Sequence, residues 1–300
     1  AFFSNYLLKG VGGSIDWRLM LGVEAIPAVA YTIMVFFTPE SPRWLLVHNG
    51  DEKGARDSLL RLGRKNIDQS IKAILDSMGS SKSEKVWKKR YAFPIILAFT
   101  VAFFNQLSGI NFILYYAPEI LERAGLASKE SLMSAVSIGI INIIFTFLGM
   151  YLIDRVGRKK LLLWGSFGYI ISLSMVAWAF FSGAGSGILL GFILLFMASH
   201  GVGQGAVIWV FIAEIFPNQV RAFGQSIGAT THWVFAALIT LLTPVFLDEQ
   251  EGIFGSNPWP IFAFFAIFMI IQLLFVILVM PETKGKSLEE LEKELVSPKT

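Results

Sequence analysis

Two amides within one apolar run are the first residues whose chemistry stands out. Gln106 and Asn111 lie five residues apart inside 92–118. On an ideal helix that spacing means about 140° of rotation and about 7.5 Å of rise, so a continuous helix would point them in rather different directions. Gly109, between them, permits a local break that turns both toward one cavity. Irregular backbone inside an apolar layer is tolerated only where it meets protein or water. Amides offer both donors and an acceptor to hydroxyl groups, which suits a polyhydroxylated solute; association between helices uses the same groups and is the alternative. Asn142 is the lone amide of another apolar run.

Charged residues form a second constellation. Asp154, Arg155, Arg158 and Lys159 fill one short connection, Glu214 lies near the end of a further apolar run, and Arg221 follows it. Ion pairs among them would hold one end of a helical bundle closed and break when it opens. Anchoring of positive charge at a membrane surface is the simpler alternative, and it suffices for Lys160. Glu24 sits seven residues into an apolar run that starts at Trp17, about 10 Å along a helix. An ionisable group there is costly and reads as a functional site, here a proton-exchanging carboxylate. A snorkelled or paired carboxylate near the surface is the other reading.

The elements that hold these residues follow from composition. Hydrophobic residues make up 54% of the 300 positions and charged residues only 16%, and mean hydropathy is +0.62. That is too apolar for a surface in water. Apolar runs occupy 17–37, 92–118, 132–153, 161–182, 188–216, 223–247 and 259–280. Each suffices to cross a hydrocarbon core of about 30 Å at about 1.5 Å per residue. Helices are expected, because they satisfy their own backbone hydrogen bonds in lipid. Turn residues such as Gly183–Gly187 and Gly255–Pro258 separate the runs, and 43–91 is the one long polar stretch. Within it Ile67, Ile71, Ile74, Leu75 and Met78 recur at helical spacing, with Asp68, Gln69, Lys72 and Asp76 between them. Short docked amphipathic helices are expected there rather than a solvated linker.

Charge placement sets the topology. Of 25 Lys and Arg residues, only Lys9, Arg18, Arg123 and Lys129 fall on the face opposite 43–91. The acidic loop Asp248-Glu249-Gln250-Glu251 also falls there. The positive-inside rule puts 43–91 and the C-terminus in the cytoplasm, so the net charge of +3 reflects topology and not nucleic-acid binding. The absence of Cys excludes a disulfide framework. His48, His200 and His232 lack metal-ligand spacing and no acid cluster lies in a span, so no enzyme and no metal site is expected. Gly201-Val202-Gly203-Gln204-Gly205 lacks the strand–turn–helix context of a nucleotide loop. Phe2–Leu8 reads as the tail of an eighth span, and the sequence as a truncated piece of a longer chain.

Four strings carry a resemblance. They are Pro39-Glu40-Ser41-Pro42-Arg43-Trp44-Leu45; Asn105-Gln106-Leu107-Ser108-Gly109-Ile110-Asn111 with Tyr115-Tyr116-Ala117-Pro118; Asp154-Arg155-Val156-Gly157-Arg158-Lys159; and Pro281-Glu282-Thr283-Lys284-Gly285. In this order and spacing the chain closely resembles the sugar porter family of the major facilitator superfamily, over essentially its whole length. The resemblance implies an all-α multi-pass membrane protein with the major facilitator fold. Residues 1–42 would hold the end of the family's helix 5 and helix 6, 43–91 a cytoplasmic helical linker, 92–280 the C-terminal six-helix bundle, and 281–300 a cytoplasmic tail. The partners implied are a monosaccharide, the bilayer and the missing N-terminal half.

The same resemblance implies transport of a hexose or pentose by alternating access, with no cofactor beyond a co-transported proton. Asn105, Gln106, Asn111, Asn142, Trp209, His232 and Trp233 would contact the sugar, the tryptophans by stacking on its C–H faces. Tyr115 and Tyr116 would form an outer gate. Asp154, Arg155, Arg158, Lys159, Glu214 and Arg221, with Glu40, Arg43 and Glu282 from the quoted strings, would form the inner one. Some proton-coupled members carry a glutamate where Glu24 stands. The chain departs from the family pattern at Asn105, usually glutamine, at Gly205-Ala206-Val207-Ile208, where Gly-Pro-x-Pro is usual, and at His232, often asparagine. A proline kink before Trp209 is therefore not expected. Transporters of polyols or other small polar solutes, and a non-transporting sugar sensor, remain open, and a bacterial inner membrane is the expected location.

Overall fold

The computed structural model describes residues 2–79, 88–217, 219–248, 252–255, 257–286 and 288–296, without the side chains of 73, 76–79, 288 and 289. Met78 and Asp76 as side chains, Glu249, Gln250 and Glu251 of the acidic loop, and Ser256 lie outside the described residues. The chain divides into two compact units, 8–84 and 2–7 with 85–300. Helix α1 (Phe2–Leu8) belongs through residues 2–7 to the second, where the Phe2 ring lies against Gly139.

In the first unit, α2 (Asp16–Gly22) and α3 (Ala25–Val35) meet at Val23 and Glu24 and bury no residue. Together they form the apolar stretch Gly13–Val35. Glu24 is exposed. The short helix α4 (Pro42–Trp44) starts with Ser41 accepting from the Trp44 amide at 3.5 Å and with Pro42 at a position that needs no amide hydrogen. It runs into a π turn, Leu45–Asn49, that Gly50 ends. Helix α5 (Glu52–Arg61) is capped by Asp51, which accepts from the Gly54 amide at 2.8 Å, and α6 (Ile67–Gly79) follows.

Leu45, Leu46, Ala55, Leu59 and Ile71 form a small core with Ile67 and Ile74 at its edge, so the three- and four-residue spacing of the isoleucines faces apolar neighbours. Arg56 joins α5 to α6 through Asp68 at 2.6 Å and pairs with Glu52 at 2.9 Å. Hydrogen bonds from Asp68 and then Glu52 push its guanidinium above the ordinary arginine value. Glu40 and Arg43 are exposed; the Glu40 carbonyl accepts from Ser58 Oγ at 2.5 Å.

The second unit carries the other six stretches long and apolar enough to cross a membrane. In order they are α7 (Ala92–Leu107) with α8 (Ile110–Arg123), α9 (Ser128–Val156), α10 (Arg158–Ser182), α11 (Ser186–His200) with α12 (Ala206–Glu214), α13 (Arg221–Leu247) and α14 (Trp259–Leu278). Helix α15 (Leu288–Leu295) buries Leu291 and Leu295 among Tyr91, Leu97, Leu161, Phe211 and Phe216. A second cluster gathers Phe112, Tyr169, Phe196, Phe262 and Phe265. Outward faces stay apolar, as Ile143 and Phe147 on α9 and Leu241 and Val245 on α13 show. An exposed belt of this kind needs lipid or another protein surface over it.

Two spans are discontinuous. Gly109 adopts φ +80° between α7 and α8, and a Cβ there would lie 2.6 Å from Phe265 Cδ2. The second break corrects the expectation that a span without proline stays straight. Gly201–Gly205 forms a five-residue π turn between α11 and α12, held where backbones meet. A Cβ on Gly201 would sit 2.8 Å from the Phe145 backbone, and one on Gly203 2.9 Å from Gly165 Cα. Such turns are a recognised cause of helix bends, and here close approach replaces the proline ring as the reason.

Candidate functional site

The break at Gly109 folds Asn111 back onto Gln106, so the two amides converge where a continuous helix would part them. Asn111 Nδ2 donates to Gln106 Oε1 at 3.0 Å. Gln106 Nε2 donates to Asn105 Oδ1 at 3.1 Å and stands 3.1 Å from both ring nitrogens of His232 on α13. Asn105, Gln106 and Asn111 are buried, so α7, α8 and α13 meet at a polar hub. Both Gln106 amide hydrogens and its carbonyl oxygen are engaged. The Asn105 amide hydrogens and the Asn111 carbonyl oxygen keep capacity for a hydroxylated ligand.

Aromatic rings border this hub. Trp209 on α12 lies 5.0 Å from the His232 ring and Trp233 lies 5.1 Å from it on the other side. Both tryptophans are exposed, at 44% and 60%, and so present open faces. Trp209 also lines a cleft of about 560 Å³ with Val210, Ala213, Glu214, Arg221 and Gln225, within the usual size of small-molecule sites. Asn142 on α9 stands apart from the hub's hydrogen bonds and accepts from Thr146 Oγ1 at 3.5 Å. Tyr116 ties α8 to α13 by donating to the Thr240 carbonyl at 3.2 Å, whereas Tyr115 is 56% exposed.

Gly109→Ala is expected to disrupt this hub. A left-handed backbone costs an L side chain about 1–2 kcal/mol, and displacing Phe265 adds about 1–3 kcal/mol. A lowered unfolding midpoint in detergent, with weakened binding of whatever solute the hub takes, is the expected result. A variant with wild-type values for both would mean that the break has no such role.

At one end of the bundle a charged knot ties four segments. Arg158, 9% exposed as a side chain, grips Glu214 two-handed, Nε to Oε2 at 3.1 Å and Nη2 to Oε1 at 2.6 Å, and reaches Asp154 at 3.0 Å. Bidentate pairing of this kind is strong and geometrically specific. Thr283 Oγ1 donates to Glu214 Oε2 at 2.7 Å. Glu282 caps α10, accepting from the Arg158 and Lys159 amides at 2.9 and 3.1 Å, where a carboxylate complements the helix dipole. Gly157, at φ +102°, leaves the room for it, since a Cβ there would be 2.6 Å from Glu282 Oε2.

The remaining gate residues sit around this knot. Lys159 Nζ donates to the Ile277 carbonyl at 3.1 Å, and the Lys284 ammonium to that of Arg155. The Arg155 guanidinium lies 3.9 Å over Tyr151. Arg221 Nε donates to the Phe216 carbonyl at 3.2 Å. Glu24, Glu40 and Arg43 belong to the first unit, where they are exposed.

Sequence reasoning missed several polar residues that the structure gathers. Gln272 on α14 donates to Ser166 Oγ on α10 at 2.8 Å and accepts from Gln204 of the π turn; all three are buried. Tyr169 and His200 pair at 2.6 Å. Gln204 and Gln272 carried the signal that singled out Asn142, a lone amide in an apolar run. At the opposite end of the bundle, Arg123 pairs with Glu119 at 3.0 Å and donates to the Gly255 carbonyl at 2.7 Å and to that of Leu247.

Comparison with known proteins places this geometry. The family model described as sugar (and other) transporter matches residues 1–295. The glucose transporter GlcP of Staphylococcus epidermidis is 32% identical over 98% of this chain and 65% of its own length. The arabinose-proton symporter of Bacillus subtilis is 34% identical over 94% of this chain and 60% of its own. Among solved structures, the proton:xylose symporter XylE bound to 6-bromo-6-deoxy-D-glucose superposes with a TM-score of 0.80 at 28% identity, covering 97% of this chain and 62% of that one. A partially occluded inward-open form of XylE from E. coli gives 0.79 at 27% identity, covering 95% and 61%. The chain thus spans less than two thirds of the length of the proteins it matches.

Proposed function

The chain belongs to the sugar transporter family of the major facilitator superfamily, and from that premise we propose that its protein carries a monosaccharide, a hexose or pentose, across a membrane by alternating access. One observation carries this reading. The helix break at Gly109 converges Asn105, Gln106, Asn111 and His232 beside the open ring of Trp209. Amides supply directional bonds to ring hydroxyls, and the indole face suits the apolar C–H side of a pyranose. The hub would form one wall of the sugar site and the rest of the same protein the other, with the two halves rocking about it in the bilayer. Tyr115 and Tyr116 would close the outer side.

The Arg158–Glu214–Glu282 knot would be the inner gate, on a cytoplasmic side assigned by the excess of Lys and Arg. Arg155, Lys159, Arg221, Glu40 and Arg43 would flank it. A bacterial inner membrane fits the relatives GlcP and the arabinose-proton symporter, both from bacteria. Binding tests the reading. Titration of the full-length protein with D-glucose and D-xylose, followed by tryptophan fluorescence, should give a saturable change. Saturation by sorbitol or xylitol alone would assign the site to polyols.

Proton coupling is proposed as well, from the printed names of two relatives and the position of Glu24 in an apolar stretch. Glu24→Gln should abolish gradient-driven accumulation and leave sugar exchange at equilibrium within about twofold, since only the protonation step is lost. Accumulation unchanged in that variant would make Glu24 structural.

A further inference from the structure

The two broken spans of the second unit lie on different parts of the chain, yet one hydroxyl reaches both breaks. Tyr169 Oη stands 2.6 Å from His200 Nδ1 and also hydrogen-bonds the Ser108 side chain. Ser108 forms the turn between α7 and α8, and His200 is the last residue of α11 before the π turn. Tyr169 itself is fully buried on α10, with its ring 5.1 Å from Phe196. Helix α10 is continuous from Arg158 to Ser182. It holds the π turn a second time through Ser166, Gln272 and Gln204.

The chain of bonds has a direction. Ser108 Oγ donates its one hydrogen to the Asn105 carbonyl at 2.6 Å, so toward Tyr169 it is an acceptor. Tyr169 then spends its single hydrogen on Ser108 and accepts from His200, which must carry its proton on Nδ1. The sequence His200 to Tyr169 to Ser108 ends on Asn105, the residue whose Oδ1 accepts from Gln106. Where no water is at hand, separating any link strands a polar group in the apolar interior at a cost of about 1–3 kcal/mol. Movement at one break therefore disturbs the other.

We infer that Tyr169 and His200 are positioning residues that lock the break beside the proposed sugar site to the π turn, so that the two breaks rearrange together during transport. The inference deepens the transport reading above and rests on it for the word transport; the linkage between the breaks stands on the hydrogen bonds alone.

The test uses the full-length protein in proteoliposomes, with Tyr169→Phe, Ser108→Ala, His200→Phe and the double variant Tyr169→Phe/His200→Phe. Monosaccharide Kd should stay within about twofold of wild type in each, while turnover falls by about tenfold, the equivalent of one lost buried bond. The double variant should be no slower than the slower single one, because all interrupt one chain. His200→Asn, which keeps an N–H at the same place, should recover turnover to within about threefold of wild type. Hydrogen–deuterium exchange gives a readout independent of flux: Ser108→Ala should speed exchange of the amides of 201–205, which lie on another span.

Wild-type turnover in Tyr169→Phe, additive losses in the double variant, or unchanged exchange at 201–205 in Ser108→Ala would each overturn the linkage. Should Tyr169→Phe fail to fold, Ser108→Ala, which removes one oxygen, decides alone. A wild-type protein that binds and moves no monosaccharide would sink the transport reading, and the exchange measurement would still decide whether the breaks are linked.

Discussion

Gln106→Ala should weaken monosaccharide binding by the full-length protein roughly 100-fold, because one side chain holds three others in place. Its removal leaves Asn105 Oδ1, Asn111 Nδ2 and the facing His232 nitrogen without their common partner. Each unsatisfied buried group costs about 1–3 kcal/mol, and about 2.7 kcal/mol corresponds to a hundredfold change. Loss of the hub also frees Asn105 and Asn111 to take orientations that no longer suit one ligand, so preorganisation falls together with contact. Asn142→Ala is the matched control. Its side chain meets only Thr146, at 3.5 Å, and its loss should change affinity by less than about fivefold if the sugar is read by the hub. Calorimetric titration of both variants decides. Equal losses would place Asn142 in the site on the same footing as Gln106; no loss in Gln106→Ala would remove the hub from the site.

Arg158→Ala should have the other large effect, at the opposite kind of site. The guanidinium is nearly enclosed and serves Glu214, Asp154 and the Ile153 carbonyl at once. Breaking a buried pair by removing one partner costs about 3–5 kcal/mol, since the carboxylate left behind is neither solvated nor paired. That end of the bundle should then stand open for much of the time, and net transport should fall steeply. The 300 residues contain no Cys, so a single cysteine at Gln225, in the cleft shared with Glu214 and Arg221, reports opening cleanly. Its labelling rate should rise by about tenfold or more in Arg158→Ala. Arg158→Lys should restore little, because an ammonium cannot reproduce the two-handed grip. Labelling as slow as in the parent protein would mean that the knot is not a gate.

Much of this was legible before any coordinates. Hydropathy marks the membrane-crossing stretches because lipid forces whole helices to be apolar. The glycine between Gln106 and Asn111 marks a break because no other residue takes φ +80° there at low cost. The π turn was harder. Gly201, Gly203 and Gly205 were visible, but a glycine cluster has a local meaning only when the neighbouring backbone is known, and here it is the approach of Phe145 and Gly165 that gives it one. Glu282 was legible as a member of a string, while its work as the cap of α10 depends on a residue 124 positions away.

The Tyr169–His200 pair fell outside sequence reasoning altogether. Neither residue breaks the periodicity of its helix, and nothing in either run points to the other. Partnerships of this sort are set by how α10 and α11 pack, not by spacing within one element. The polar groups that sequence reasoning did find share a different property. Each sits beside a glycine or a proline, or within a dense group of charges, where local chemistry is already unusual.

The most direct test of the central claim is uptake of labelled D-glucose and D-xylose by proteoliposomes that contain the full-length protein, with and without an inward proton gradient. Saturable uptake of one of these sugars, suppressed by Gln106→Ala and by Arg158→Ala, is the predicted result, and accumulation that collapses with the gradient would add proton coupling. Folded protein that carries neither sugar, or that carries one equally well after Gln106→Ala, would contradict the account.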